Sequence, residues 1–145
     1  MIVHCDGSCY AADKRMGIGI AFFENDSNTP FREEAITISG LGSSNEAEYH
    51  GIIHALMIII NNYDTPRNHL VTINTDSQLI CNQIIGDWEC RQDNLRLLLD
   101  EVWRLTKVIN FPLILFNWVS RENSKQQIVD TLSKQANPYF QEKHA

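Results

Sequence analysis

The sequence predicts a single α/β domain built on a mixed sheet, and three observations predict it. Its 145 residues are enough for one compact core and leave no room for a second. Three strand-like runs come first, two of them joined by the polar turn Asn25 to Pro30. Strand and helix patterns then alternate to the end, which favours parallel addition of the later strands to the sheet.

Met1 to Asp6 reads as a strand ending in an Asp-Gly turn. Met16 to Glu24 is the second strand; Gly17 and Gly19 fall on one face, which points to close approach of another backbone or helix. Phe31 to Ser39 is the third. Ser44 to Asn62 follows as the longest helix, opened by a capping box of Ser43 and Glu46 and ended by Asn61-Asn62 and Thr65-Pro66. Leu70 to Thr75 is the fourth strand, and Ser77 to Ile85 a short helix stopped by Gly86. Asn94 to Lys107 carries Leu95, Leu98, Leu99, Val102 and Leu105 at helical spacing. Pro112 breaks the chain before a fifth strand, Leu113 to Val119. Ser124 to Ala136 is the last helix, with a capping box of Ser124 and Gln127, and Asn137-Pro138 ends it before a short polar tail.

A hydrophobic fraction of 43% argues against disorder. The net charge of −6 and pI near 5.2 do not favour a broadly basic nucleic-acid surface, although local patches and metal ions can invert the local field. Lys14, Arg15, Arg32 and Arg67 are the only basic residues before position 90. Cys5, Cys9, Cys81 and Cys90 form no CxxC pair and have no His at zinc-finger spacing; a Cys81–Cys90 bridge stays open. The longest apolar run, Ala55 to Ile60, is too short to span a bilayer, and no secretory signal precedes Asp6. The expected setting is soluble, reducing and cytoplasmic, with no membrane partner. His4, His50, His54, His69 and His144 form no ligand set, and the His50/His54 pair lacks the intervening Glu of an HExxH motif.

Glu48 stands out because it heads an otherwise apolar stripe of Gly51, Ile52, Ala55, Leu56 and Ile59 on the long helix. A buried carboxylate without a partner is costly, so a cation is expected beside it. Asp6 and Asp76 sit at strand ends, and functional groups in open α/β sheets gather beyond the carboxyl ends of strands. If the sheet extends from a central first strand, these two acids are neighbours and require a counter-cation. Asp130, in the second turn of the last helix, is placed close by. Oxygen-rich ligand sets select hard ions such as Mg²⁺ or Mn²⁺. Each acid also has a local role open to it: a turn for Asp6, a helix cap for Asp76, the N3 partner of an Asn45 cap for Glu48, and a solvated helix acid for Asp130.

The blocks Asp6-Gly7-Ser8, Asn45-Glu46-Ala47-Glu48-Tyr49, Thr75-Asp76-Ser77-Gln78 and Asp130-Thr131-Leu132-Ser133 resemble those of type 1 ribonuclease H, in order and spacing, over about residues 1–136. The resemblance implies a ribonuclease H-like domain at 1–137 with a tail at 138–145. It implies a five-stranded mixed sheet of order 3-2-1-4-5 with strand 2 antiparallel. It further implies endonucleolytic hydrolysis of the RNA strand of RNA–DNA hybrids, with Asp6, Glu48, Asp76 and Asp130 as catalytic, metal-binding acids. Two Mg²⁺ or Mn²⁺ ions about 3.5–4 Å apart clamping the scissile phosphate suit such a set, and leave 5′-phosphate and 3′-hydroxyl ends. RNA is told from DNA by its 2′-hydroxyl and by the shape of the hybrid; the positions matching substrate contacts are Ser8, Cys9, Asn45 and Gln78.

The chain departs from the family in four places. Cys9 to Arg15 replaces a Gly/Pro-rich turn. Only Asp87 to Asp93 fills the place of a basic protrusion, so weak, salt-sensitive hybrid binding is expected; Trp88 either stacks on substrate there or packs on the sheet edge. The loop before the last helix lacks the usual His, whose role falls to Arg121 or Glu122. The interval from Trp118 to Asp130 is about two residues long, Gln126 stands where Asn is common, and Asn123 is an alternative ligand to Asp130. The expected partners are RNA–DNA hybrid and double-stranded RNA, bound by a monomer. A non-catalytic binding module on the same fold, and an α/β scaffold whose acids are caps and turns, are the alternatives.

Overall fold

The computed structural model describes residues 1–63, 70–109 and 113–143. Thr65-Pro66, Pro112, His69 and His144, singled out above, lie outside the described residues. The order is β1 (Ile2–Cys9), β2 (Arg15–Phe23), β3 (Arg32–Leu41), α1 (Ser44–Asn62), β4 (Leu70–Thr75), α2 (Gln78–Ile85), α3 (Asp93–Val108), β5 (Leu113–Trp118), α4 (Ser124–Ala136) and α5 (Pro138–Lys143). The five strands form one sheet of order β3-β2-β1-β4-β5. β2 runs antiparallel to β1 and β3, while β4 is parallel to β1 and β5. This is the order and direction the family resemblance implied.

β1 divides the molecule into two faces because successive strand residues alternate sides. Val3 and Cys5, opposite Phe22 and Ile20, belong to the larger core under α1. His4, Asp6 and Ser8, opposite Ala21, Gly19 and Gly17, face α4. α1 buries the predicted stripe: Ile52, Ala55, Leu56 and Ile59 are fully enclosed, each large aliphatic side chain contributing roughly 1.5–3 kcal/mol. Leu95, Leu99, Val102 and Leu105 bring α3 into the same core.

Three glycines let the helices come close. A Cβ on Gly19 would lie 2.3 Å from the Val129 carbonyl oxygen, and one on Gly17 2.4 Å from that of Ser133, so α4 rests on bare backbone. A Cβ on Gly7 would lie 2.3 Å from the Ala47 carbonyl carbon, which brings the start of α1 onto β1. The close approach expected at Gly17 and Gly19 is thus real, and its partner is the last helix.

Three local expectations change. Asp6-Gly7 is not a turn: β1 runs on to Cys9, because Gly7 and Ser8 pair with Ile18 and Gly17. The cap of α4 is Asn123 and not Ser124; its Oδ1 accepts from the backbone N–H of Lys125 and Gln126 at 3.0 and 3.1 Å. The segment expected as a tail forms α5, since Pro138 suits the first helical position and Asn137 Oδ1 accepts from the Tyr139 N–H at 3.0 Å. All four cysteines are free thiols, and none of the described helices is long and apolar enough to cross a membrane.

Candidate active site

Register brings the first two acids together. β1 pairs with β4 in parallel as Ile2 to Thr72, Val3 to Ile73 and His4 to Asn74. Continued by two residues, that register sets Asp6 level with Asp76. Gly7 then admits α1, and its backbone N–H donates to Glu48 Oε1 at 3.2 Å. One carboxylate oxygen each from Asp6, Glu48 and Asp76 lie within 4.8 Å of one another. Asp76 is free for this because the cap of α2 is Ser77, whose Oγ accepts from the Ile80 N–H at 3.3 Å. Likewise Ser43, not Asn45, caps α1: its Oγ accepts from the Glu46 N–H at 3.2 Å and lies 3.4 Å from Glu46 Oε1, one half of the expected capping box. The local roles open to Asp76 and Glu48 are therefore filled by neighbours.

Asp130 lines the same cavity, about 410 Å³, with Asp6, Glu48, Asp76 and Arg121. It is not one of the three acids that meet within 4.8 Å, and it pairs with Lys134, one turn along α4, at 3.3 Å. Asn123, the alternative to it, has its side-chain oxygen committed to capping α4.

The electrostatics are those of a cation site. Burial pushes the Asp6 carboxyl up to about 7; a hydrogen bond with Glu48 opposes this, and the charges of Asp76 and Asp130 add to it. Glu48 is raised well above the usual carboxylate range, by burial first and then by the Asp6 charge. Asp76 is raised by burial, against the pull of Arg121, whose Nε lies 3.9 Å from Oδ2. Glu48 Oε2 is buried without a hydrogen-bond partner among the described residues. An unpartnered carboxylate oxygen beside two further acids fits a hard divalent ion, which accepts anionic oxygen and needs no sulfur or nitrogen. The neighbouring Cys5 thiol is pushed up by burial and by these acids, so it does not compete as a thiolate.

The expected substrate contacts separate. The Ser8 hydroxyl is buried and donates to the Ser133 carbonyl at 2.8 Å, and Ser8 lines the acid cavity. Cys9 is half-buried on the cavity wall, with Sγ 3.6 Å from the Gly42 carbonyl. Asn45 lies half-buried in the first turn of α1, and Gln78 is exposed at the first position of α2. The Arg121 side chain is 86% exposed on the rim. Glu122 turns to the Ser120 hydroxyl instead. Trp88 is not on the sheet edge; it lines a groove between α2 and α3 with Arg96 and Trp103. Gln126 is buried, joining His4 Nδ1 at 3.0 Å to the Cys5 carbonyl at 2.8 Å, and so holds α4 to β1.

Four contributors were not among the expected site residues. Trp118 donates its indole N–H to the Asp76 carbonyl at 3.1 Å, and Ser133 Oγ lies 3.5 Å from Asp6 Oδ2. Lys134 and Phe140 line the acid cavity. Lys134 was foreseeable from its i+4 spacing to Asp130; Phe140 was not.

A sheet of this order with three acids converging at the carboxyl ends of its parallel strands defines the ribonuclease H fold. The chain belongs to the reverse transcriptase-like family, whose model matches residues 4–136. Among solved structures it is similar to an N-terminal RNase H domain from Mycobacterium tuberculosis, with 24% identity, a TM-score of 0.82, and 99% and 97% of the two chains covered. It is similar to LC11-RNase H1, a compost metagenome protein solved with an RNA/DNA hybrid, with 23% identity, a TM-score of 0.84 and 99% of each chain covered. RNase H1 of Halobacterium salinarum gives 23% identity and a TM-score of 0.79, over 93% and 95% of the chains. At these identities the likeness is one of fold. A comparison with curated protein sequences finds no match.

Proposed function

We propose that the chain is a divalent-metal-dependent endonuclease that hydrolyses the RNA strand of RNA–DNA hybrids, leaving 5′-phosphate and 3′-hydroxyl ends. The observation that carries this is the meeting of Asp6, Glu48 and Asp76 within 4.8 Å, with Glu48 Oε2 buried and unpartnered. Family membership supports it, as does the hybrid bound to the structurally similar LC11-RNase H1.

Asp6, Glu48, Asp76 and Asp130 would hold Mg²⁺ or Mn²⁺, two ions per site. Bound there, the ions supply an activated water and neutralise charge at the phosphate and the leaving oxygen. The protein's own part is positioning. The Gly7 N–H fixes Glu48, and Trp118 and the Val119 N–H, which donates to the Thr75 carbonyl at 2.9 Å, fix the end of β4. Arg121 offers a mobile cation to phosphate at the rim. Asn45, Gln78, Cys9 and Ser8 would read the 2′-hydroxyls. Double-stranded RNA is a second substrate, since Asp87 to Asp93 carries no basic protrusion to specialise recognition. The domain at 1–137 acts as a cytoplasmic monomer, consistent with four free thiols.

The test is a labelled hybrid incubated with and without Mg²⁺. Cleavage that needs the ion and is lost in a folded Asp76→Asn variant is the expected result. Hybrid binding without turnover in the wild type would favour a binding module, and absence of divalent-ion binding in calorimetry would favour a scaffold.

A further inference from the structure

α5 is only six residues long, yet it is tied down at every step. Asn137, fully buried at its start, donates from Nδ2 to the Ser8 carbonyl at 3.0 Å, to Ser8 Oγ at 3.2 Å and to the Arg15 carbonyl at 3.0 Å. Tyr139 stacks on Tyr10, with ring centroids 4.4 Å apart and planes 4° from parallel. Arg15 places its guanidinium between Asp13 and Glu142, with contacts of 2.8 and 2.7 Å. A solvated tail needs none of this, and ordering six residues opposes folding by roughly 1–2 kcal/mol each in backbone entropy alone.

What the tethering achieves is the placement of Phe140. Its half-buried ring lines the acid cavity, and it also lines an adjoining cavity of about 420 Å³ along the outer face of α4. Asp130 and Lys134 are likewise shared, so the two spaces adjoin along α4 beside the acids. Thr131, Gln135 and Gln141 supply hydrogen-bonding groups to the second space, and Lys134 its cation. A half-open aromatic ring beside an acid cluster has no cation-binding role. An aromatic face next to a Lys and amide groups, adjoining a phosphate site, is how proteins hold single strands through base or sugar stacking.

We propose that Phe140 is a substrate-contacting residue that stacks on a nucleotide flanking the scissile phosphate, with α5 acting as the clamp that presents it. This rests on the hydrolase reading above. The strand continues from the acids past Lys134, which exchanges its pairing with Asp130 for a phosphate once cations fill the acid cluster.

The experiment compares wild type, Phe140→Ala, Phe140→Leu and Phe140→Tyr. Steady-state cleavage of hybrid, anisotropy of a fluorescent hybrid in Ca²⁺, Mn²⁺ titration calorimetry and thermal unfolding are read for each. Phe140→Ala is expected to weaken hybrid affinity on the order of tenfold, with the loss in KM rather than kcat and with Mn²⁺ affinity at the wild-type value. Phe140→Tyr restores affinity and Phe140→Leu does not. Wild-type affinity in Phe140→Leu would overturn the proposal, since apolar packing alone would then suffice. Parallel losses of Tm, Mn²⁺ affinity and kcat in Phe140→Ala would overturn it too, leaving Phe140 a mere anchor. Hybrid bound but not cleaved by wild type would sink the hydrolase reading while the anisotropy series still decides the stacking contact; absence of hybrid binding would sink both.

Discussion

Replacing Glu48 with Gln should stabilise the metal-free protein while abolishing cleavage. The unfolded chain releases the Glu48 proton near its ordinary value of 4.5, whereas burial and the Asp6 charge keep it bound in the folded state far above that. Stability contributed by such a group is complete below the unfolded value and is lost as pH rises toward the folded one. As pH rises past the ordinary value the unfolded chain gives up a proton that the folded protein still holds, and the metal-free fold is penalised for keeping it. Gln has no proton to hold, and its amide can keep the contacts to Asp6 and to the Gly7 N–H. The expected gain is about 1 kcal/mol or more, since each pH unit of upward displacement is worth about 1.36 kcal/mol, and each kcal/mol raises Tm by on the order of 2–4 °C. It should shrink toward zero as pH falls below about 4.5, where both states become protonated. Circular-dichroism melts in EDTA across this pH range, with hybrid cleavage measured alongside, provide the assay. A variant that is less stable at neutral pH yet still cleaves, or a gain that does not change with pH, would refute the electrostatic account of Glu48.

Further outcomes follow from the same geometry. The metal-free wild type should lose Tm as pH rises from about 4 towards 7, because Asp6, pushed up to about 7, keeps its proton in the folded state over that window. Mg²⁺ should restore more of this at neutral than at acid pH; a flat profile in EDTA would contradict it. Gly19→Ala would drive a methyl to within 2.3 Å of the Val129 carbonyl oxygen and should cost about 3 kcal/mol or more in urea unfolding. Asn123→Ala should cost about 1 kcal/mol by uncapping α4 yet leave Mn²⁺ affinity intact; a lost ion site would revive Asn123 as a ligand.

Much of this protein can be read from local pattern. Periodicity and caps placed α1, β4 and the end of α2 where the structure shows them, because Ser43, Gly86 and the alternating apolar runs act within a turn or two of the residues they organise. The odd position of Glu48 on an apolar stripe pointed to a cation before any fold was known. Local pattern misjudged Asp6-Gly7, because a pair that favours a turn in isolation is held extended by its β2 partners, and only pairing can say so. It also left α5 as a tail, since six polar and aromatic residues carry no periodic signal; their helix depends on Asn137 reaching Ser8 and Arg15 far away in sequence. Nor could it show that Ser133 and Asn137 occupy the Ser8 hydroxyl. The types and spacing of the acids were thus determined by the chain alone. Their convergence was decided by the sheet register and by Gly7 giving way to α1, which act between segments some forty and seventy residues apart and leave no trace in any local window.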